Sequence, residues 1–229
     1  EGYSLRVTKQ NIQIGANEPA GFFYAIQTLL QLLPCQIYSS QQEYCSAWNV
    51  PAVEIKDVPR FEYRGLHLDV GRHLYPVEFV KKYIDLLSMQ KMNRFHWHLT
   101  EDQGWRIEIK KHPKLTEIGS IRKETIKNRY TAQGPLLLEN TPYGGFYTQK
   151  EIKEIVQYAK ERYVTVIPEI DLPGHMLAAL AVYPELGCTG GPYEVGTRWG
   201  IYEDVLCAGN EKIYPFIEDI LKEVFELFP

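Results

Sequence analysis

Arg64-Gly-Leu-His-Leu-Asp-Val70, an amphipathic stretch over about 77–91, and Asn93-Arg-Phe-His-Trp-His-Leu99 decide the fold. The two short runs read as strands. Between them Phe79, Val80, Tyr83, Ile84 and Leu87 recur at helical spacing, which predicts one apolar helix face. Strand, helix, strand in that order implies a parallel pair joined by a right-handed crossover. The pattern repeats downstream. Thr148 with Glu151 three residues on forms a capping box, and Ile152, Ile155, Val156 and Ala159 make the stripe of the helix it opens. Tyr163–Ile170 is almost wholly apolar, as expected of a strand buried on both faces. Asn210 is expected to cap a last helix carrying Ile213, Ile217, Ile220, Leu221, Val224 and Phe228.

Upstream of Pro59 the pattern differs. Residues 3–7 and 12–14 alternate as a hairpin, and 50–56 read as a further strand. Residues 18–33 read as a helix stopped by Pro34, with Phe22, Phe23, Ile26, Leu29, Leu30 and Leu33 as its stripe. The reading is therefore two parts. Residues 1–55 form an α+β piece too small to be a stable domain alone, and 59–229 form an α/β unit with three strand–helix repeats. A doubly wound sheet is the alternative, but the first strand lacks a Gly-rich phosphate loop.

Composition narrows the function. The 229 residues are 45% hydrophobic and 24% charged with a net charge of −4, which excludes a disordered tail. No basic run exceeds a pair such as Lys110-Lys111, so neither nucleic acid nor an anionic membrane is an expected partner. Ala20–Leu33 is broken by Gln27, Thr28 and Gln31, so no membrane span is expected. The first residue is Glu1, and the chain is expected to begin inside a larger protein. The 16 Tyr, 9 Phe and 4 Trp suit a sugar-binding surface as well as a core. Nothing in the sequence signals an oligomeric state. Cys35, Cys45, Cys188 and Cys207 include no C-x-x-C pair. The local pairs 35/45 and 188/207 are either disulfides or free thiols.

In α/β folds of this kind chemistry gathers at the carboxyl ends of strands. Here those ends carry Asp69-Val-Gly-Arg72-His73, then Thr100-Glu-Asp102-Gln-Gly-Trp105-Arg106, then Glu169-Ile-Asp171-Leu-Pro-Gly-His175. Three charged, glycine-bearing strand ends on one rim predict a polar pocket. Arg72 is suited to holding paired hydroxyls or a carboxylate, or else forms an ion pair with Asp69. Asp102 and His175 form a carboxylate–imidazole relay or a loop anchor. Trp105 lines a sugar site or belongs to the core. Of Glu169 and Asp171, one is expected to line the pocket. His96 and His98 share a strand face, as a metal pair would, or are packed histidines. A metal-dependent amidohydrolase would need further ligands on other strands, and no metal is expected.

These motifs together resemble glycoside hydrolase family 20, the β-N-acetylhexosaminidases, especially its bacterial members, over Pro59 to Pro229. The loop from Gly187-Cys188 to Cys207-Ala-Gly-Asn210 shares the likeness. The resemblance implies the first three βα units of a (β/α)8 TIM barrel, with residues 1–55 as the end of the small α+β domain that precedes it. It implies removal of terminal N-acetylglucosamine or N-acetylgalactosamine from glycans with retention, the substrate's own acetamido oxygen acting as nucleophile. It implies no cofactor and no metal. By position, Arg72 would bind sugar hydroxyls, and Asp102 with His175 would form the relay behind the general acid. A secreted or periplasmic location, and pairing of Cys188 with Cys207, fit the likeness. The family's catalytic Asp-Glu pair is missing, since no Asp-Glu dipeptide occurs in the sequence. The chain is expected to stop before the strand that carries it and to be inactive alone. A non-catalytic glycan-binding or scaffold relative is the other reading.

Overall fold

The structure, a computed structural model, describes residues 1–39, 41, 47–127 and 137–229. Strand β1 (Tyr3–Val7) pairs antiparallel with β2 (Ile12–Ala16). Helix α1 (Pro19–Leu32) follows, and β3 (Val53–Asp57) joins the other edge of β1. Tyr3, Leu5 and Val7 are buried while Ser4 and Arg6 face out, as a period of two requires.

Helix α1 starts with Pro at its first position and ends as Leu33 turns extended ahead of Pro34. Its buried face is not the predicted stripe. Gly21, Tyr24, Ala25 and Thr28 face the sheet, while Phe22 and Ile26 stand 44% and 45% exposed. Small residues decide this. A Cβ on Gly21 would sit 2.6 Å from the Gly2 carbonyl oxygen, so only the Gly21–Ala25 side lets the helix approach so closely. The Thr28 hydroxyl is satisfied by the Tyr3 hydroxyl at 2.5 Å.

The larger part begins with β4 (Gly65–Asp69). Helix α2 (Val77–Met89), strand β5 (Arg94–His98), helix α3 (Gln149–Lys160), strand β6 (Thr165–Glu169) and helix α4 (Ile213–Leu227) follow. The strands are parallel in the order β6-β5-β4, and the sheet does not close among the described residues. The capping box at Thr148 and Glu151 forms as the spacing predicts. Asn210 does not cap α4. Its side chain accepts from the Lys212 N–H at 3.1 Å, closing the turn that leads into the helix. In α2 the buried face is Val80, Ile84 and Leu87, while Phe79 leans out to stack on Tyr75 with ring centroids 4.4 Å apart.

The sheet has two unlike faces. Phe95, Trp97 and Val166 lie on the outer one, in the same core cluster as Ile84, Ile155 and Ile220 of the three helices. The inner face carries His67, His96 and Ile167 in one row and Asp69, His98 and Glu169 in the next. So β6 is buried on one face only. Val166 is buried while Thr165 is exposed and Ile167 and Glu169 are half-buried. The smaller part docks through Arg64 to Glu1 at 2.9 Å and through Lys91 to Asp57 at 3.0 Å.

Candidate active site

The carboxyl ends of β4, β5 and β6 meet at Glu101, whose side chain has no solvent exposure. Its Oε2 accepts from His98 Nε2 at 2.9 Å and lies 2.8 Å from Arg72 Nη2. Its Oε1 accepts from the Asp102 N–H at 3.0 Å and faces His175 Nδ1 at 2.5 Å. Burial opposes the carboxylate's charge, but His98, the Asp102 amide, Arg72 and His175 outweigh it and hold its pKa below the ordinary value. His98 shows the mirror image. Burial would neutralise it, yet Glu101, Glu169 and Asp69 bring its pKa up to about 9, so it is an imidazolium at neutral pH.

Arg72 forms the ion pair with Asp69 that its sequence allowed, and a second one with Glu101. Its Nη1 pairs with Asp69 at 2.7 Å and its Nη2 with Glu101 at 2.8 Å, while Asp69 also accepts from the Arg72 backbone N–H. The guanidinium is thereby fixed from two sides and stays about a quarter exposed. It opens onto a small cleft shared with His73, Gln103, Arg122, Arg198 and Trp199.

Asp102 and His175 do come together, with Oδ2 3.2 Å from Nδ1, but Glu101 is the nearer partner. With both carboxylates at Nδ1, that nitrogen carries the proton and Nε2 is left to exchange one. The other Asp102 oxygen accepts from the Leu177 N–H at 3.1 Å. Burial, with Glu101 beside it, raises the Asp102 pKa to about 6. His175 has φ 56, a left-handed backbone that a non-glycine residue holds only where its surroundings fix it.

The loops are tied by Arg106. It is fully buried and donates to the carbonyls of Val70, Gly71, Gln103, Ser120 and Gly145. Burial, with the Arg122 guanidinium nearby, lowers its pKa to about 10. Trp105 is a core residue, not a pocket wall. It has no exposure, and its indole N–H donates to the Ile107 carbonyl at 2.7 Å. The tight pairing of Thr100–Glu101 with Gly104–Trp105 turns the ring inward.

Glu169 and Asp171 both face the site. Two residues apart in extended chain is the same side, and each lies near His98 with its carboxylate. His96 and His98 do not act as a chelating pair. His98 is buried against Glu101, whereas His96 is 39% exposed and meets His67 across the strands with ring centroids 4.7 Å apart. Cys188 and Cys207 are unlinked thiols, so the expected disulfide is not formed. A hydrogen bond between them raises the Cys188 pKa. Cys45 of the other expected pair lies outside the described residues. Glu101 is the residue that sequence reasoning passed over. The available signal was its place beside Asp102, one residue beyond a strand-end threonine.

A larger groove, about 510 Å³, lies at the other end of β6 between Arg94, Lys160, Tyr163, Val166 and Phe228. It is at the amino ends of the strands, away from these groups, where such folds build stability and not chemistry.

The parallel three-stranded sheet with its charged carboxyl ends is the arrangement expected of a segment of an α/β barrel. The structure superposes on a family 20 β-N-acetylhexosaminidase from Streptomyces coelicolor with TM-score 0.87 and 38% identity, covering all of this chain and 43% of that one. It also superposes on an exo-β-N-acetylglucosaminidase from Vibrio harveyi, solved with N-acetylglucosamine, with TM-score 0.80 and 41% identity, covering all of this chain and 34% of that one. The catalytic-domain profile of glycosyl hydrolase family 20 matches residues 61–229, and that family's domain 2 matches 1–58. The chain belongs to glycosyl hydrolase family 20. A β-hexosaminidase of Porphyromonas gingivalis is 51% identical over the whole chain, and one of Vibrio furnissii is 44% identical over 99% of it. The chain spans 28% and 35% of their lengths. No helix among the described residues is long and apolar enough to cross a membrane.

Proposed function

We propose that these residues are the sugar-orienting and relay portion of a retaining β-N-acetylhexosaminidase acting on glycans that end in N-acetylglucosamine or N-acetylgalactosamine. The observation that carries the reading is the buried Glu101, which locks Arg72 and His175 at adjoining strand ends.

Each group then has a task. Asp69 and Glu101 aim the Arg72 fork, whose remaining N–H groups hold hydroxyls of the terminal sugar. The substrate's acetamido oxygen attacks the anomeric carbon and the glycosidic bond breaks, giving an oxazolinium-like intermediate that water opens with net retention. The leaving oxygen needs a proton. His175, held at Nδ1, offers Nε2 to the carboxylic acid that delivers it and so tunes that acid's pKa. Residues outside these 229 supply the acid, since the sequence has no Asp-Glu dipeptide. The scheme needs no metal and no organic cofactor. A secreted or periplasmic location is part of the proposal, supported by the adjoining Cys188 and Cys207 thiols, which an oxidising compartment would link.

The test is hydrolysis of an aryl N-acetyl-β-glucosaminide by the full-length gene product, beside the 229-residue chain alone. Turnover by the former, lost on Arg72→Ala and sharply reduced on Asp102→Asn with binding kept, is the expected result. Tight glycan binding without turnover in the full-length product would support a scaffold instead. Turnover by the isolated chain, free of host enzyme, would place the acid among the residues described here.

A further inference from the structure

The strand-end turn that carries Arg72 is held in place by side chains. Among the described residues no backbone-to-backbone hydrogen bond reaches residues 71–75. Asp69 accepts from the Arg72 N–H, and Arg106 donates to the Gly71 carbonyl. The rest of the grip on residues 72–74 comes from a short antiparallel ladder, Ile121–Arg122 against Tyr143–Gly144, in which Arg122 and Tyr143 stand directly opposite. Arg122 Nη1 donates to the Arg72 carbonyl at 2.8 Å, and its Nε donates to the Thr125 hydroxyl at 2.9 Å. The Tyr143 hydroxyl accepts from the Leu74 N–H at 2.9 Å and lies 3.1 Å from His73 Nδ1. The Arg122 guanidinium sits over the Tyr143 ring, 4.4 Å from its centroid, so the two side chains also hold each other.

Arg122 is the telling member. It is 4% exposed, and no carboxylate among the described residues supports its charge, so burial lowers its pKa. Burying a cation without a counter-charge is costly. What that cation reaches is the carbonyl of the residue assigned to the sugar. We propose that Arg122, supported by Tyr143, is a positioning residue for substrate binding, setting the main chain from which the Arg72 fork reaches the hydroxyls of the terminal sugar. The inference rests on the reading of Arg72 as the sugar-holding residue. Asp69 and Glu101 fix the tip of the Arg72 side chain, and Arg122 fixes its root. With both ends held, the fork is ordered before substrate arrives, and binding loses less entropy. Lysine cannot stand in for Arg122. One ammonium on a flexible stem does not reach Arg72 and Thr125 together while lying flat on a ring.

A double-mutant cycle in the full-length gene product tests this, assayed on an aryl N-acetyl-β-glucosaminide. Arg122→Lys should lower kcat/KM at least about tenfold, and Tyr143→Phe, which removes only the hydroxyl, about fivefold. In an Arg72→Lys background the same two changes should cost less than about twofold, because the residue they act through is already impaired. Where turnover of the double variants is too slow, calorimetric affinity for N-acetylglucosamine supplies the same cycle. Lys123→Ala, which removes only an exposed pair with Glu194, should leave kcat/KM unchanged. Circular dichroism checks that each variant folds, and Tyr143→Phe carries the cycle if Arg122→Lys does not. Equal losses in both backgrounds would make the pair merely structural and overturn the proposal. So would a loss below about twofold for the folded variants in the parent. Turnover indifferent to Arg72→Lys and Arg72→Ala is a different failure, which overturns the reading of Arg72 and this inference with it.

Discussion

Glu101 and His175 are joined across 2.5 Å between a carboxylate oxygen without solvent exposure and an imidazole nitrogen held on a left-handed backbone. The carboxylate is also the counter-charge of His98 and Arg72, so one side chain balances three basic groups.

Glu101→Gln should therefore cost more than a hydrogen bond. The substitution leaves the His98 imidazolium buried beside an amide. With Glu169 kept 2.8 Å from His98 Nδ1, the loss is expected at the lower end of the about 3–5 kcal/mol that breaking a buried pair from one side costs. Urea unfolding at pH 7 measures the loss, and NMR titration should show the His98 pKa falling from about 9. An unchanged urea midpoint would contradict the assignment of Glu101 as the hub.

Asp102 gives a pH signature. Its pKa is raised by burial from 3.8 to about 6 in the fold. Below about pH 4 it is protonated in both states. Between about 4 and 6 the unfolded chain has released its proton and the folded chain has not, so stability falls as pH rises. Above 6 the penalty is constant. Compared with Asp102→Asn, the parent should lose on the order of 3 kcal/mol across that window. Glu101 and Glu169 titrate in the opposite sense, which is why the difference between the two proteins is the quantity to follow.

Gly104→Ala should destabilise the site loops. The added methyl would lie 2.2 Å from Arg106 Nη2 and 2.3 Å from its Cζ. A guanidinium tied to five carbonyls has nowhere to go, so the upper part of the about 1–3 kcal/mol usual for overpacking is expected. A thermal melt unchanged from the parent would show that Arg106 can move aside.

Trp105 is expected to behave as core. Trp105→Ala should cost about 3–5 kcal/mol, whereas Trp105→Phe should fold and leave N-acetylglucosamine binding by the full-length product within a factor of about two. Loss of binding in a stably folded Phe variant would return Trp105 to the sugar site.

Cys188 and Cys207 should link on mild oxidation. Intact mass of the monomer should fall by two hydrogens, and Cys188→Ser should prevent it. Disulfide-linked dimers in place of that product would show that the two thiols do not meet in solution.

Much of this was legible in the chain because local pattern and global fold agree. The capping box at Thr148 formed as written, and the strand-end motifs of Arg72, Asp102 and His175 do converge. The failures share a cause, which is that they depend on what lies opposite. The face of α1 was set by close approach at Gly21, not by its largest apolar residues. The apolar run of β6 suggested two covered faces, yet its alternate positions look toward histidines of the neighbouring strands. Trp105, open between sugar site and core in the sequence, is decided by a two-residue turn, invisible to periodicity, that sends it inward. Glu101 was hidden by its neighbour, since adjacent carboxylates read alike until register shows which one meets the imidazole.

Arg106 has a consequence for how the site comes apart. Its five carbonyls belong to four separate segments, at 70–71, 103, 120 and 145. None of these segments can leave without stranding the same buried cation, so they do not fray one by one. In native-state hydrogen exchange their protected amides should share one opening free energy and one denaturant dependence. The strand-end loops, scattered along the chain, then behave as a single cooperative unit.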